Sequence, residues 1–167
     1  SGRMLNLRNL RNKKVGVLGL GKTGLSVVNA LKQAGALLTC WDDDKEKRVN
    51  LGVNGVTVED LKNKNLLREL DLLIVSPGIP HLYPKPHAVV SLAYELNIRV
   101  DNDIGLFFSS HIHDEYESFS TPPKIIAITG SNGKSTATAL AGHVFSKVFS
   151  DVEIGGNIGK PVLELSP

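Results

Sequence analysis

Short apolar runs alternate along this chain with longer stretches in which apolar residues recur three or four positions apart. Val15 to Leu18 is the first run, and its length and β-branched content predict a buried strand. Leu25, Val28, Leu31 and Ala34 then recur at helical spacing up to Gly35, which suits a helix C-terminus. Leu37 to Trp41 reads as a second strand, closed by the acidic triplet Asp42-Asp43-Asp44. Glu59 to Leu70 is a weaker helical stretch. Leu72 to Val75 is a buried strand, stopped by Ser76-Pro77-Gly78. Ala88 to Leu96 is helical, Ile98 to Val100 is a strand, and Asp103 to Phe108 is a short helix. Strands alternating with helices predict an α/β fold with a parallel, doubly wound sheet and right-handed crossovers. A ligand is then expected at the carboxyl ends of the strands.

From Ser109 to Pro123 the pattern breaks into Ser, His and acidic residues and ends in Thr121-Pro122-Pro123, a boundary signal. Lys124 to Ile128 predicts a new strand, about Lys134 to Phe149 a helix, and Val152 to Ile154 another short strand. "GGNIGKP" at 155–161 is a glycine-rich turn. The expected division is residues 4–121 as one unit and 122–167 as the start of a second. Ser1-Gly2-Arg3 ahead of Met4 reads as a tag-removal scar and is left out of the fold argument.

Composition narrows the classes. Of 167 residues, 41% are hydrophobic and 22% charged, a globular rather than disordered balance. A net charge of +2 gives no argument for nucleic acid or an acidic membrane face. The few aromatics do not sit among basic clusters, and no apolar run approaches the roughly 20 residues of a bilayer span. Cys40 is the one cysteine, so no internal disulfide forms, which fits a cytoplasmic protein without a signal peptide.

Two glycine loops carry the candidate chemistry. Gly19, Gly21 and Gly24 form G-x-G-x-x-G between the first strand and helix, with Asp42 about 20 residues on, where a dinucleotide site would hold its ribose. The same glycines also serve helix–strand packing, so a nicotinamide dinucleotide site and a purely structural loop both stay open. The second loop, "AITGSNGKST" at 127–136, places Gly130, Gly133, Lys134 and Ser135 between a predicted strand and a helix. Glycines let successive N–H groups face one anion, and the helix N-terminus adds favourable partial charge. Lys134 can then reach the β- and γ-phosphates, and a following hydroxyl can hold Mg²⁺. The loop is a shortened variant of the usual phosphate loop, with Ile128 where that pattern has its first glycine.

"ITGSNGKST" resembles the ATP loop of the Mur ligases, which build the peptide of bacterial peptidoglycan. With "GLGKTGLS", "SPGI" at 76–79 and "GGNIGKP", the chain is most similar to the branch of that family that adds D-glutamate. The resemblance runs from Val15 to Pro161. It implies a Rossmann-like N-terminal domain that holds UDP-N-acetylmuramoyl-L-alanine, followed by the start of a P-loop-type α/β central domain that holds ATP and Mg²⁺. It implies amide formation through an acyl phosphate, with D-glutamate as the attacking amine and a monomeric parent enzyme. Gly130, Ser131, Asn132, Gly133, Lys134, Ser135 and Thr136 would bind ATP, with Lys134 catalytic and Ser135 and Thr136 on the metal. Gly21, Lys22, Thr23, Gly24, Asp42, Asp43, Ser76 and Asn157 would contact the UDP substrate. Asp43 and Asp44 depart from the family, which has something like Thr-Arg there.

Plainer readings stand beside these. Asp42 to Asp44 and Lys45 to Arg48 also fit a solvated strand end and helix start, and Asn157 a turn. His111, His113, Asp114 and Glu115 read as a linker rather than a metal site, because no further ligands of fitting spacing follow. Cys40 reads as a core residue and Lys13-Lys14 as a solvated lead-in. The chain by itself is expected to be inert, with an open sheet edge beyond residue 124 that is mobile or pairs with another copy.

Overall fold

The computed structural model describes residues 7–49, 51, 56–81, 84–114, 125–156 and 159–165, without the side chains of residues 8 and 110–114. Its sheet is built from β1 (Lys14–Leu18), β2 (Leu37–Trp41), β3 (Val56–Val58), β4 (Leu72–Val75) and β5 (Val100–Asp101). The order is β3-β2-β1-β4-β5, every pairing is parallel, and β1 lies between β2 and β4. The chain fills one side of β1 with β2 and β3, then crosses to the other with β4 and β5. This reversal is the switch point at which open α/β sheets take their ligands.

Among the described residues six helices accompany the strands: α1 (Lys22–Gln33), α2 (Lys45–Val49), α3 (Lys64–Arg68), α4 (Ala88–Glu95), α5 (Asp103–Asp114) and α6 (Lys134–Ser146). Alternating residues of each strand feed two apolar layers. Val15, Val17, Cys40, Leu72 and Ile74 join Val27, Val28 and Leu31 of α1 and Leu106 of α5. Leu18, Leu73 and Val75 face the other way, onto Leu67 of α3 and Val89, Val90 and Ala93 of α4. Each fully buried large aliphatic side chain contributes roughly 1.5–3 kcal/mol, so the layers that fix β1 also fix the loop at its carboxyl end. Gly16 gives the second layer its closeness, since a Cβ there would lie 2.6 Å from Leu70 Cδ1.

The strands and helices up to α4 follow the hydrophobic pattern, with instructive exceptions. β3 was not expected, because three residues on an edge leave little periodicity to detect. The helix expected over Glu59 to Leu70 is confined to α3. Asp60 turns back to accept from Lys62 N at 2.9 Å, and Asn63 Oδ1 caps the helix by accepting from Asn65 N at 3.1 Å. Asp and Asn side chains compete with helical bonding in this way and so favour turns and caps. α5 runs past Phe108 to Asp114, through the first part of the expected linker and the His111 and His113 positions; no Gly or Pro interrupts it there.

The second unit differs more. Among the described residues no strand forms at 125–128 or at 152–154, and a P-loop-type α/β domain is not formed. A strand needs a ladder partner, and the sheet ends at β5 on that side. Ile126 is left 63% exposed, and α6 buries none of its residues. What the second unit does form is a return. Gly155 and Lys160 make an isolated parallel bridge, and the following 3-10 turn, Val162–Glu164, drives Val162 and Leu163 into the α1/α5 layer.

Candidate functional site

The first glycine loop lies at the carboxyl end of β1, and its three glycines do different work. Gly19 has φ +95°, and a Cβ there would lie 2.7 Å from Ser76 Cβ. At Gly24 a Cβ would lie 1.8 Å from the Gly19 carbonyl oxygen, so only glycine lets α1 pack this close to the loop. Gly21 has φ −72° and nothing within 4 Å of its Cβ position. Packing therefore accounts for Gly19 and Gly24 and leaves Gly21 unexplained. Bare backbone is what a bound diphosphate needs to approach closely.

Gly21 is also the N-cap of α1, with no side chain satisfying the helix end and no acidic residue in the first turn. The first helical bond runs from Leu25 N to Gly21 O, which leaves the N–H groups of Lys22, Thr23 and Gly24 without helical acceptors. Uncapped N–H groups together with the helix dipole make an anion site. Ser76, at the end of β4, closes the other side: its Oγ donates to Gly19 O at 3.0 Å and its N–H donates to Leu18 O at 2.9 Å. Lys22 Nζ donates to Gly159 O at 3.4 Å, so the 155–160 turn returns from the second unit to the first loop.

The acidic triplet is mostly committed to the protein. Asp42 is 8% exposed; its Oδ2 accepts from Leu20 N at 2.7 Å and its Oδ1 from Asp44 N at 2.8 Å. It thus ties the glycine loop to the end of β2. Asp43 Oδ1 accepts from Trp41 Nε1 at 3.0 Å, and its Oδ2 lies 2.6 Å from His87 Nε2. The His87 bond is the main cause that holds the Asp43 carboxyl below its usual range. Arg48 stacks on the Trp41 ring at 4.1 Å and donates through Nη1 to the carbonyls of Asp42 and Asp43. His87, the N-cap of α4, was not singled out in the sequence. Its only signal there was its position just after a proline and just before an apolar helix.

The second loop turns on two glycines in unusual backbone conformations. Gly130 and Gly133 have φ +152° and +75°, and no atom lies within 4 Å of the Gly133 Cβ position. Gly133 caps α6 without a side-chain bond, and the first helical bond runs from Ala137 N to Gly133 O. The N–H groups of Lys134, Ser135 and Thr136 are thereby free of helical acceptors. No group of three His, Cys, Asp or Glu residues that could hold a metal ion occurs among the described residues. Asn157 lies outside the described residues. A shallow cavity of about 240 Å³ is lined by Lys14, Leu37, Thr39, Thr57, Leu66 and Glu69, none of them a residue of either glycine loop, and Lys14 pairs with Glu69 at 3.3 Å.

Residues 13–98 match the family model described as Mur ligase MurD-like, N-terminal domain. The chain belongs to this family. Similar relatives are UDP-N-acetylmuramoylalanine–D-glutamate ligases from Ruegeria pomeroyi, 45% identical, and Roseobacter denitrificans, 46% identical, each aligned over 98% of this chain and 35% of the relative. The Jannaschia sp. ligase of the same name is 44% identical over 93% of this chain. The chain thus spans about a third of the length of the curated relatives it matches. For this MurD-like domain, the structure brings Gly21, Lys22, Thr23, Gly24, Ser76, Asp42 and Asp43 to one edge of the sheet. The Gly130–Thr136 loop stands on the second unit.

Proposed function

We propose that this chain is the substrate-holding part of an ATP-dependent, amide-forming ligase that acts on UDP-N-acetylmuramoyl-L-alanine in the cytoplasm. The observation that carries the reading is the convergence at the carboxyl edge: bare Gly21, the uncapped N-terminus of α1, Ser76 from β4, and Lys22 meeting the 155–160 turn. A diphosphate on Gly21 to Gly24 would take the free N–H groups, with Lys22 and Thr23 beside it. The nucleoside would extend toward the turn at Asp42 and Asp43. Asn157 is the further contact that the family resemblance suggests. Asp42 accepts one backbone N–H on each oxygen, which fixes it between the glycine loop and the end of β2.

In the full-length protein, working as a monomer, an oxygen of the L-alanyl carboxylate would attack the γ-phosphorus of ATP, and ADP would leave. The D-glutamate amine would then attack the acyl carbon, forming the amide and expelling phosphate. Mg²⁺ supplies charge neutralisation on the phosphates when bound. Lys134 would hold the transferring group, and Gly130 to Gly133 would cradle it, a task of positioning and electrostatics. Ser131 and Asn132 complete that loop, and Ser135 and Thr136 offer hydroxyls to the metal.

Calorimetric titration of this chain with UDP-N-acetylmuramoyl-L-alanine, and separately with NAD⁺, tests the first loop. The expected result is binding of the UDP compound that weakens at least tenfold in Lys22→Ala. Binding of NAD⁺ alone would return the loop to the dehydrogenase class.

A further inference from the structure

His87 uses both ring nitrogens. Its Nδ1 accepts from Val89 N at 3.1 Å, capping α4. A ring nitrogen that accepts carries no hydrogen, so in the neutral ring the hydrogen sits on Nε2, which donates to Asp43 Oδ2 at 2.6 Å. The partners are 44 residues apart: Asp43 lies in the turn after β2, and His87 caps α4 in the connection that follows β4, on the other side of β1. The bond therefore spans the carboxyl end of the central strand, where the glycine loop begins. The histidine is well covered, with its side chain 13% exposed. The Asp42–Asp44 turn is then held from every direction: His87 and Trp41 on the Asp43 carboxylate, Arg48 on two carbonyls, and Leu20 N on Asp42.

Nothing in the packing demands this. α4 needs only an acceptor at its N-cap, which Ser, Asp or Asn supplies as well. The ring's reach to Asp43 is surplus to capping. We propose that His87 is a positioning residue for substrate: through Asp43 it fixes the turn at the end of β2 at the distance from the glycine loop that a nucleoside diphosphate requires. Pre-set walls bind more tightly because less ordering is left to the moment of binding. The inference rests on the reading of the first loop as a nucleoside-diphosphate site.

The test separates the two roles of the ring. In His87→Asn the shorter side chain keeps the cap and cannot reach Asp43, whereas His87→Ala loses both. With the 167-residue chain, His87→Asn is expected to keep its melting temperature while its affinity for UDP-N-acetylmuramoyl-L-alanine falls about tenfold. Asp43→Ala should lose a similar factor, and the double variant no more than either alone, since the two act as one unit. A nitrogen-correlated NMR spectrum should assign the Nε2–H tautomer to His87 in the wild type. Full affinity in His87→Asn, or multiplicative losses in the double variant, would overturn the proposal and leave the nucleotide reading intact. A wild-type chain that binds NAD⁺ and not the UDP compound would overturn both.

Discussion

The crowding at Gly24 and the emptiness at Gly21 make opposite predictions for the same substitution. An alanine Cβ at residue 24 would sit 1.8 Å from Gly19 O, 2.7 Å from Gly19 C and 3.0 Å from Ser76 Oγ. Real Cβ atoms essentially never come within 3.0 Å of such neighbours, so the helix and loop must separate by at least 1.2 Å (3.0 − 1.8). The two closest obstructing atoms are backbone, and no rotamer change relieves them. Overpacking of this kind costs about 1–3 kcal/mol. For a chain of this size that lowers the melting temperature by roughly 2–12 °C. The same displacement moves the α1 N–H groups off a bound phosphate, so binding of the UDP compound should fall at least tenfold. At residue 21 there is no obstruction, and φ −72° suits alanine. Gly21→Ala should leave the melting temperature unchanged or slightly raised, because glycine's extra unfolded-state freedom is removed. Its methyl group nevertheless stands where a diphosphate would approach, and affinity should drop. Thermal melts and titrations on both variants suffice. Unchanged stability in Gly24→Ala would refute the packing argument. Unchanged affinity in Gly21→Ala would refute the anion site.

Other consequences are more local. Cys40 is fully buried and its thiol is pushed up to about 12 by burial, so it should resist a thiol reagent at pH 8 until the chain is unfolded. Asp103 is 5% exposed with Oδ1 unpartnered, and burial raises its carboxyl above the ordinary value of 3.8. A raised acid binds its proton more tightly when folded, so its contribution to stability is lost as pH rises from about 3.8 through the folded value. Asp103→Asn should therefore melt a few degrees higher than wild type at pH 7 and match it near pH 3; equal melting at pH 7 would exclude the effect. In the full-length protein, Lys134→Ala should abolish ligation while leaving UDP-substrate binding by the first loop intact.

The parts that could be read from sequence are those decided by nearest neighbours along the chain. Leu72–Val75 is buried at every position of a parallel strand, so its apolar character is continuous and unmistakable, whereas Leu37–Trp41 buries only Leu38 and Cys40. The glycine spacing at 19, 21 and 24 raised the expectation of a phosphate loop. Which of these glycines packing requires depends on Ser76, 57 residues from Gly19, and no local pattern holds that information. Val56–Val58 was missed because an edge strand of three residues is defined by its ladder with β2, not by periodicity. The two strands expected at 124–128 and 152–154 have strand-like sequences. Local propensity proposed them, and the absence of ladder partners among the described residues decided against them.

The same division separates the residues of the site. Asp42 was a candidate from its spacing after the glycine loop and from the family resemblance, Asp43 from the resemblance alone. The structure gives each carboxylate protein donors instead, Leu20 N and Asp44 N for the first, Trp41 Nε1 and His87 for the second. A carboxylate that accepts backbone N–H groups within 2.8 Å is stiff, and its contribution to a ligand comes through the walls it sets. The glycine loop is thus held to β2 by Asp42 and to β4 by Ser76, while Lys22 meets the returning 155–160 turn. Three segments distant in sequence converge on one bare backbone stretch. Cutting one tie should loosen the site more than it destabilises the fold, because none of the ties belongs to either apolar layer.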